Sequence, residues 1–333
     1  MTDYDILIIG GGPVGLACGI EAKTQGLSHI IIEKGNLVNS FLNWPTYMVF
    51  FSTAELLEIG DVPWTTAGEK PTRREGFAYY RKVKEKFKLN LHTYEEVLGV
   101  KPNVNGFEVA TSKQTYTARN VVVATGFSEH VNPLGAPGED LPKVSHIYRE
   151  AFPYAGCEVL VVGGKNSAAE TALDLWRHGA KVTMAVRKPQ FGESLKYWMK
   201  PDLENRIKQG QITAHFNTVV EAITDTTVVL YDRKTLRHFT IKNDFVLAMT
   251  GYQPSFEFLK KLGVGVTENL RFTFDRETME TNVAGLYLAG VVAAGIDTGS
   301  LFIENGRLHA KQIVSHILKQ QTALQTTEMI AAK

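Results

Sequence analysis

The chain has 333 residues, with 36 Lys and Arg against 35 Asp and Glu, and 44% of it is hydrophobic. That length buries a sizeable core and suffices for two domains, and the near-neutral balance excludes the charge footprint of a nucleic-acid binder. No apolar run nears the roughly 20 residues that cross a bilayer, no basic leader with a cleavage site opens the chain, and the two cysteines, Cys18 and Cys157, form neither a disulfide framework nor a CxxC pair; a soluble, cytoplasmic, metal-free protein is expected.

The first element is a strand, "DILIIG", which runs straight into "GGGPVGLACGI". Gly10, Gly12 and Gly15 fit G-x-G-x-x-G. Gly10 permits a tight turn, Gly12 lets the backbone approach a pyrophosphate, and Gly15 lets helix and strand pack closely. A helix through about Gln25 then aims its amides and positive dipole end at the phosphates. The next strand, "HIIIEK", ends in Glu33, eighteen positions after Gly15, where an acid accepts the hydroxyls of a ribose. A tight strand–helix turn without a ligand is the alternative. The loop that follows carries Trp44, Tyr47, Phe50 and Phe51, which either line a ring pocket or belong to the core.

Further on, "NVVVATG" reads as a buried strand, and the Pro- and Gly-rich "FSEHVNPLGAPGEDLP" as a connector. "CEVLVVGG" opens a second strand–turn–helix unit, followed by the strand "KVTMAVRK"; "DFVLAMTGY" and "GLYLAGVV" close the pattern, and "QQTALQTTEMIAAK" reads as a frayed tail. Strands alternating with helices predict parallel sheets covered on both faces.

The second turn departs from the first. Gly163 and Ala168 hold its first and last positions, but Lys165 stands where the middle glycine belongs, as in a decayed site. Against decay, the next strand ends in Arg187 and Lys188 rather than an acid. An acid repels a 2′-phosphate, whereas Arg187 pairs with it bidentately. The first site therefore suits the AMP half of FAD and the second suits NADPH.

The order of these motifs resembles the two-dinucleotide flavoprotein superfamily that contains thioredoxin reductase: "VVVATG" is similar to its linking ATG motif, and "TNVAGLYLAG" to its second FAD motif. Narrower stretches, among them "NWPTYMVFFSTAELLEIGDVPW", "KPTRREGFAYYRKV", "GGKNSAAE", "LKYWMKPDLENRIKQG" and "TGYQPSFEFL", resemble the bacillithiol disulfide reductase family. The resemblance implies an α/β fold of two Rossmann-like domains, with an NADPH-binding domain (128–248) inserted into an FAD-binding one (1–127 and 249–333). It implies hydride passing from NADPH to flavin N5, a low-molecular-weight disulfide as acceptor, and a homodimer. On it, Lys165 is a family trait. The FAD set is Gly10, Gly12, Pro13, Val14, Gly15, Glu33, Lys34, Val97, Ala124, Thr125, Gly126, Gly290 and Val291; the NADPH set is Gly163, Gly164, Lys165, Asn166, Ser167, Ala168, Arg187 and Lys188.

Three departures stand out. The stretch "VSHIYREAFPYAGCEVL" holds Cys157 alone where thioredoxin reductases carry CxxC. Val14 stands where bacillithiol reductases carry a cysteine, and Val291 where an Asp commonly binds the ribityl chain. Cys18, one helical turn beyond Val14, reads as a small buried hydrophobe and only secondarily as a catalytic thiol. His146 reads as a structural histidine first and a proton donor second. Other acceptors compatible with the motifs are ferredoxin or another small electron carrier. A flavin monooxygenase, whose F-x-G-x-x-x-H run "LPKVSHIYREAF" matches only at its histidine, and a non-catalytic redox sensor complete the set.

Overall fold

The computed structural model describes residues 3–127, 130–297 and 299–331. Two compact units form, each around its own sheet: Met1–Leu42 with Met48–His130 and Gln253–Lys333, and Asn43–Tyr47 with Val131–Tyr252. The short segment Asn43–Tyr47 joins the second unit, where the Thr46 amide donates to the Arg149 carbonyl. The expected junction at 127/128 adjoins Ser128 and Glu129, which lie outside the described residues.

In the first unit Tyr4–Ile9 is the central strand. It pairs in parallel with His29–Ile32 on one side and Thr115–Val123 on the other, and Leu286–Leu288 pairs in parallel with Thr115–Val123. Residues 6–9, His29–Ile32 and residues 121–123 are buried throughout, as expected of parallel strands covered on both faces. The helix Pro13–Thr24 lies so close that nine of its residues are buried; a Cβ at Gly19 would stand 2.7 Å from Ile31 Cδ1. The helix Arg73–Phe87 starts at a reciprocal cap between Thr72 and Glu75, and the backbone amides of Thr72 and Ala67 draw the Glu75 carboxyl down to about 2.

In the second unit, Ile212–Phe216, Lys181–Val186, Glu158–Val162, Phe245–Ala248 and Val144–Ser145 lie side by side, all parallel. The helix Asn166–Arg177 packs Ala168, Ala172, Leu173 and Leu175 into the core beneath it.

Two expectations are corrected. The sheets are not purely parallel: Val97–Asn103, Gly106–Thr111 and Thr115–Val123 form an antiparallel meander, and Thr218–Lys242 folds into a separate three-stranded antiparallel sheet. Residues 320–331 of the expected tail continue the helix His309–Ala331, anchored by buried Ala310, Ile313, Val314 and Ile317; residues 332 and 333 lie outside the described residues.

Candidate functional site

At the first turn the three glycines answer to different neighbours. Gly10 has φ +113°, and a Cβ on it would meet the Ala124 carbonyl oxygen at 2.5 Å. A Cβ at Gly15 would stand 2.0 Å from the Gly10 carbonyl oxygen. Both are required by the protein itself. Gly12 is not: a Cβ there meets nothing within 4 Å. Gly12 is the N-cap of the helix Pro13–Thr24, has no side chain to cap it, and no acidic residue occupies the first turn. The first amides of a helix have no partner within it, so donors and the positive dipole end face open space at the one glycine the fold does not need.

Glu33 lies at the rim of this space, 8% exposed. Its Oε2 accepts the Gly11 amide and its Oε1 the Gly35 amide, both at 2.7 Å. The two bonds fix the orientation of the carboxylate at the turn. The Glu33 carbonyl accepts the Glu95 amide, which brings Val97 to the same corner; Lys34 is exposed beside it.

The ATG stretch and the second motif converge here. The Ala124 amide donates to the Ile9 carbonyl and the Ala289 amide to the Val123 carbonyl. Gly126, at φ +74°, faces Val291, and Gly290, at φ +75°, faces Val14, whose side chain a Cβ would meet at 3.0 Å. The sequence reading missed His309, whose Nδ1 accepts the buried Gly290 amide at 3.1 Å. Burial holds its pKa below the usual histidine range. Its partner is nineteen residues away, and no spacing rule marks such a pair.

The second turn repeats the geometry with one change. Gly163 has φ +143°, and a Cβ on it would stand 2.5 Å from the Met249 carbonyl oxygen and 3.0 Å from Ala168 Cβ. Lys165, the N-cap of Asn166–Arg177, sits at φ −109° and ψ −171°, extended backbone that any residue adopts, so no glycine is needed there. Lys165 and Ser167 are exposed. The Asn166 side chain is tied to the following loop: its Nδ2 donates to the Ser194 carbonyl and its Oδ1 accepts the Lys196 amide. Gly164 packs under the same loop, its carbonyl accepting the Gly192 amide. Arg187 and Lys188 emerge exposed from the Lys181–Val186 strand, and no carboxylate pairs with either among the described residues. Directly after them, Pro189, Gln190 and Phe191 line a cavity of about 390 Å³ with Lys200, Lys208 and Phe216.

His146 Nε2 lies 3.1 Å from Glu139 Oε1. Burial opposes the charge of Glu139, but the Leu134 and Gly135 amides and His146 hold its carboxyl below the usual range. Cys18 is 1% exposed, and burial, with the nearby Glu21 charge, pushes its thiol up to about 12. Cys157 precedes the Glu158–Val162 strand, at the end opposite the Gly163 turn. Of the aromatic quartet, Phe50 is core, edge-on to Phe41 and Trp64, Phe51 is 38% and Tyr47 80% exposed, and Trp44 and Tyr47 belong to the second unit. No group of three His, Cys, Asp or Glu suited to a metal ion occurs among the described residues, and no helix there is long and apolar enough to cross a membrane.

The model of the family "Pyridine nucleotide-disulphide oxidoreductase" matches residues 7–290. Bacilliredoxin reductase Bdr of Bacillus subtilis is 46% identical over 96% of this chain and 99% of its own. The solved bacillithiol disulfide reductases Bdr (YpdA) are each 41% identical: that of Staphylococcus aureus superposes at a TM-score of 0.91 over 96% of this chain and 99% of its own, and that of Bacillus cereus at 0.93 over 95% and 99%. Two dinucleotide turns of different electrostatic character, with no cysteine pair beside either, are therefore found in a chain that belongs to the pyridine nucleotide-disulphide oxidoreductase family, within its bacillithiol disulfide reductase branch.

Proposed function

We propose that this chain is an FAD-containing, NADPH-dependent reductase of a bacillithiol-type low-molecular-weight disulfide, with FAD on the first turn and NADPH on the second. On this reading residues 1–127 and 249–333 carry the flavin and residues 128–248 the nicotinamide nucleotide. The two free thiols suit a reducing compartment, the cytoplasm, and the working unit is a homodimer. The open space at Gly12 carries the reading, since the fold itself leaves that position unexplained.

Gly12 and the amides of Val14 and Gly15 receive the FAD pyrophosphate, while Glu33 orients the adenosine ribose. At the second turn the amides after Lys165 and its ammonium hold the NADPH pyrophosphate. Arg187 and Lys188 select the 2′-phosphate, and the cavity behind Pro189–Phe191 takes the adenine. The bound nucleotides supply the two-electron chemistry. The disulfide S–S bond breaks with two electrons from NADPH and one further proton, giving two thiols and NADP⁺.

The purified protein is tested for a flavin spectrum and for NADPH oxidation with bacillithiol disulfide, other small disulfides, ferredoxin and oxygen. Turnover with bacillithiol disulfide at least tenfold faster than with the others is expected. A faster reaction with ferredoxin assigns a carrier reductase, one with oxygen a monooxygenase, and no steady consumption with any acceptor a sensor. Light scattering of the same sample reads the oligomeric state.

A further inference from the structure

His309 opens the helix His309–Ala331 and is 9% exposed. Because its Nδ1 accepts the Gly290 amide, the neutral ring carries its proton on Nε2. The surroundings of Gly290 are tight. A Cβ built there meets Val14 at 3.0 Å, and one built at Gly306 stands 3.0 Å from Gly290 Cα and 3.3 Å from Val14 Cγ2. His309, Gly290 and Val14 thus meet where the helix of the first turn begins. Two other buried histidine nitrogens, His29 Nε2 and His146 Nδ1, are sealed from solvent without a partner. His309 Nε2 is not sealed in this way, and among the described residues it meets no protein acceptor. Beside it, Val291 offers no side-chain hydrogen bond.

We propose that His309 is a positioning residue for the flavin nucleotide, its Nε2–H donating to a ribityl or pyrophosphate oxygen of FAD beside Gly290. The assignment rests on FAD occupying the first turn. The donor lies on an element distant in sequence from both glycine motifs and makes good the hydrogen bond that Val291 does not supply. Burial keeps the ring neutral, so it acts as a fixed donor rather than a charge.

Two substitutions separate this role from simple support of the Gly290 loop. His309→Asn keeps an acceptor near the Nδ1 position and loses the reach of Nε2. His309→Gln keeps a donor near Nε2 and loses the bond to Gly290. Deflavinated wild-type and variant proteins are titrated with FAD and followed by quenching of flavin fluorescence, with thermal melting of the flavin-free forms as the control for folding. The expected result is a Kd raised at least tenfold in His309→Asn and within threefold of wild type in His309→Gln. The reverse order assigns His309 to the loop alone and overturns the proposal, as does a Kd within twofold of wild type in both. Gly12→Val serves as the reference for the underlying reading: if it binds FAD like wild type, the first-turn assignment fails, whereas its loss of FAD beside an unaffected His309→Asn sinks only the role of His309. Should His309→Asn melt out at the assay temperature, the dissociation rate of FAD from His309→Gln decides: within threefold of wild type supports the donor, and a tenfold rise overturns it.

Discussion

Gly15 lies directly beneath Gly10: a Cβ on Gly15 would sit 2.0 Å from the Gly10 carbonyl oxygen, a separation no packed structure tolerates. The helix would have to lift from the strand. Gly15→Ala is therefore expected to destabilise the flavin-free protein by about 3 kcal/mol or more, which the roughly 1 kcal/mol an alanine gains in a helix does not offset. Gly12→Val behaves oppositely. Gly12 sits at φ −76° and ψ 177° with open space around it, so valine costs the fold at most about 1 kcal/mol as a poorer cap. It fills the space of the pyrophosphate, and the protein is expected to purify folded and colourless. Urea midpoints of the flavin-free proteins and the flavin-to-protein ratio check the pair. A yellow, fully loaded Gly12→Val contradicts the assignment.

The second turn yields a prediction about nucleotide choice. Arg187 follows the Lys181–Val186 strand, exposed and without a carboxylate partner among the described residues. Arg187→Ala is expected to weaken NADP⁺ binding by about 1.5–3 kcal/mol, the range for hydrogen bonds to a charged group, or roughly ten- to a hundredfold. NAD⁺, which lacks the phosphate, is expected to bind the variant and wild type alike. Calorimetric titration with both nucleotides measures this, and equal wild-type affinity for the two removes the basis for the NADPH assignment.

Much of this organisation is legible in the sequence, and its limits have physical causes. "DILIIG" and "EVLVVGG" are readable because a strand buried on both faces must be apolar throughout, and a glycine with positive φ must follow it. Glu33 is readable because strand length fixes how far it lies from the turn. Gly106–Thr111 alternates buried and more exposed residues, but the edge strand Val97–Asn103 buries only Val100 and shows no clear period. Asn166 looks like a phosphate residue, yet its side chain holds Ser194 and Lys196, a loop thirty residues on. His309 meets Gly290 only after the chain has turned back on itself. In each case the missing information is a long-range contact, which local spacing does not encode.

The buried His29 gives the protein a predictable acid limit. Burial lowers its pKa most; the Leu27 carbonyl, 3.3 Å from Nδ1, works against this, and Lys23 adds to the lowering. The unfolded chain, with an ordinary histidine near 6.5, therefore takes up a proton that the folded chain resists. Stability is fully present above that value and falls as pH drops below it. The urea midpoint is expected to be flat from pH 8 to about 7 and to decline toward pH 5. His29→Leu removes the group that must charge, so its decline is expected to be shallower. A parallel decline in variant and wild type assigns the acid limit to other groups.

The thiols set the last expectation. Cys18 is buried with its thiol raised to about 12, so almost none of it is thiolate at neutral pH, and the thiolate is the nucleophile. Cys157 is in the other compact unit, at the strand end away from the second turn. Val14 has no thiol to offer. On the proposed function the disulfide is expected to be reduced without a mixed disulfide to the chain. A Cys18→Ala, Cys157→Ser double variant is expected to keep its flavin and to turn over bacillithiol disulfide with NADPH within about threefold of wild type. Flavin reduction alone is too lenient a measure, because it precedes any step at sulfur; the decisive quantity is kcat over many turnovers. Alanine rather than serine at position 18 avoids burying an unpaired hydroxyl, which costs about 1–3 kcal/mol and would mix a folding defect into the result. If the double variant remains folded and yellow but loses a hundredfold in kcat, about 2.7 kcal/mol of barrier, a cysteine takes part after all. The two single variants then identify which, with Cys18 the first to examine because it lies one helical turn beyond Val14.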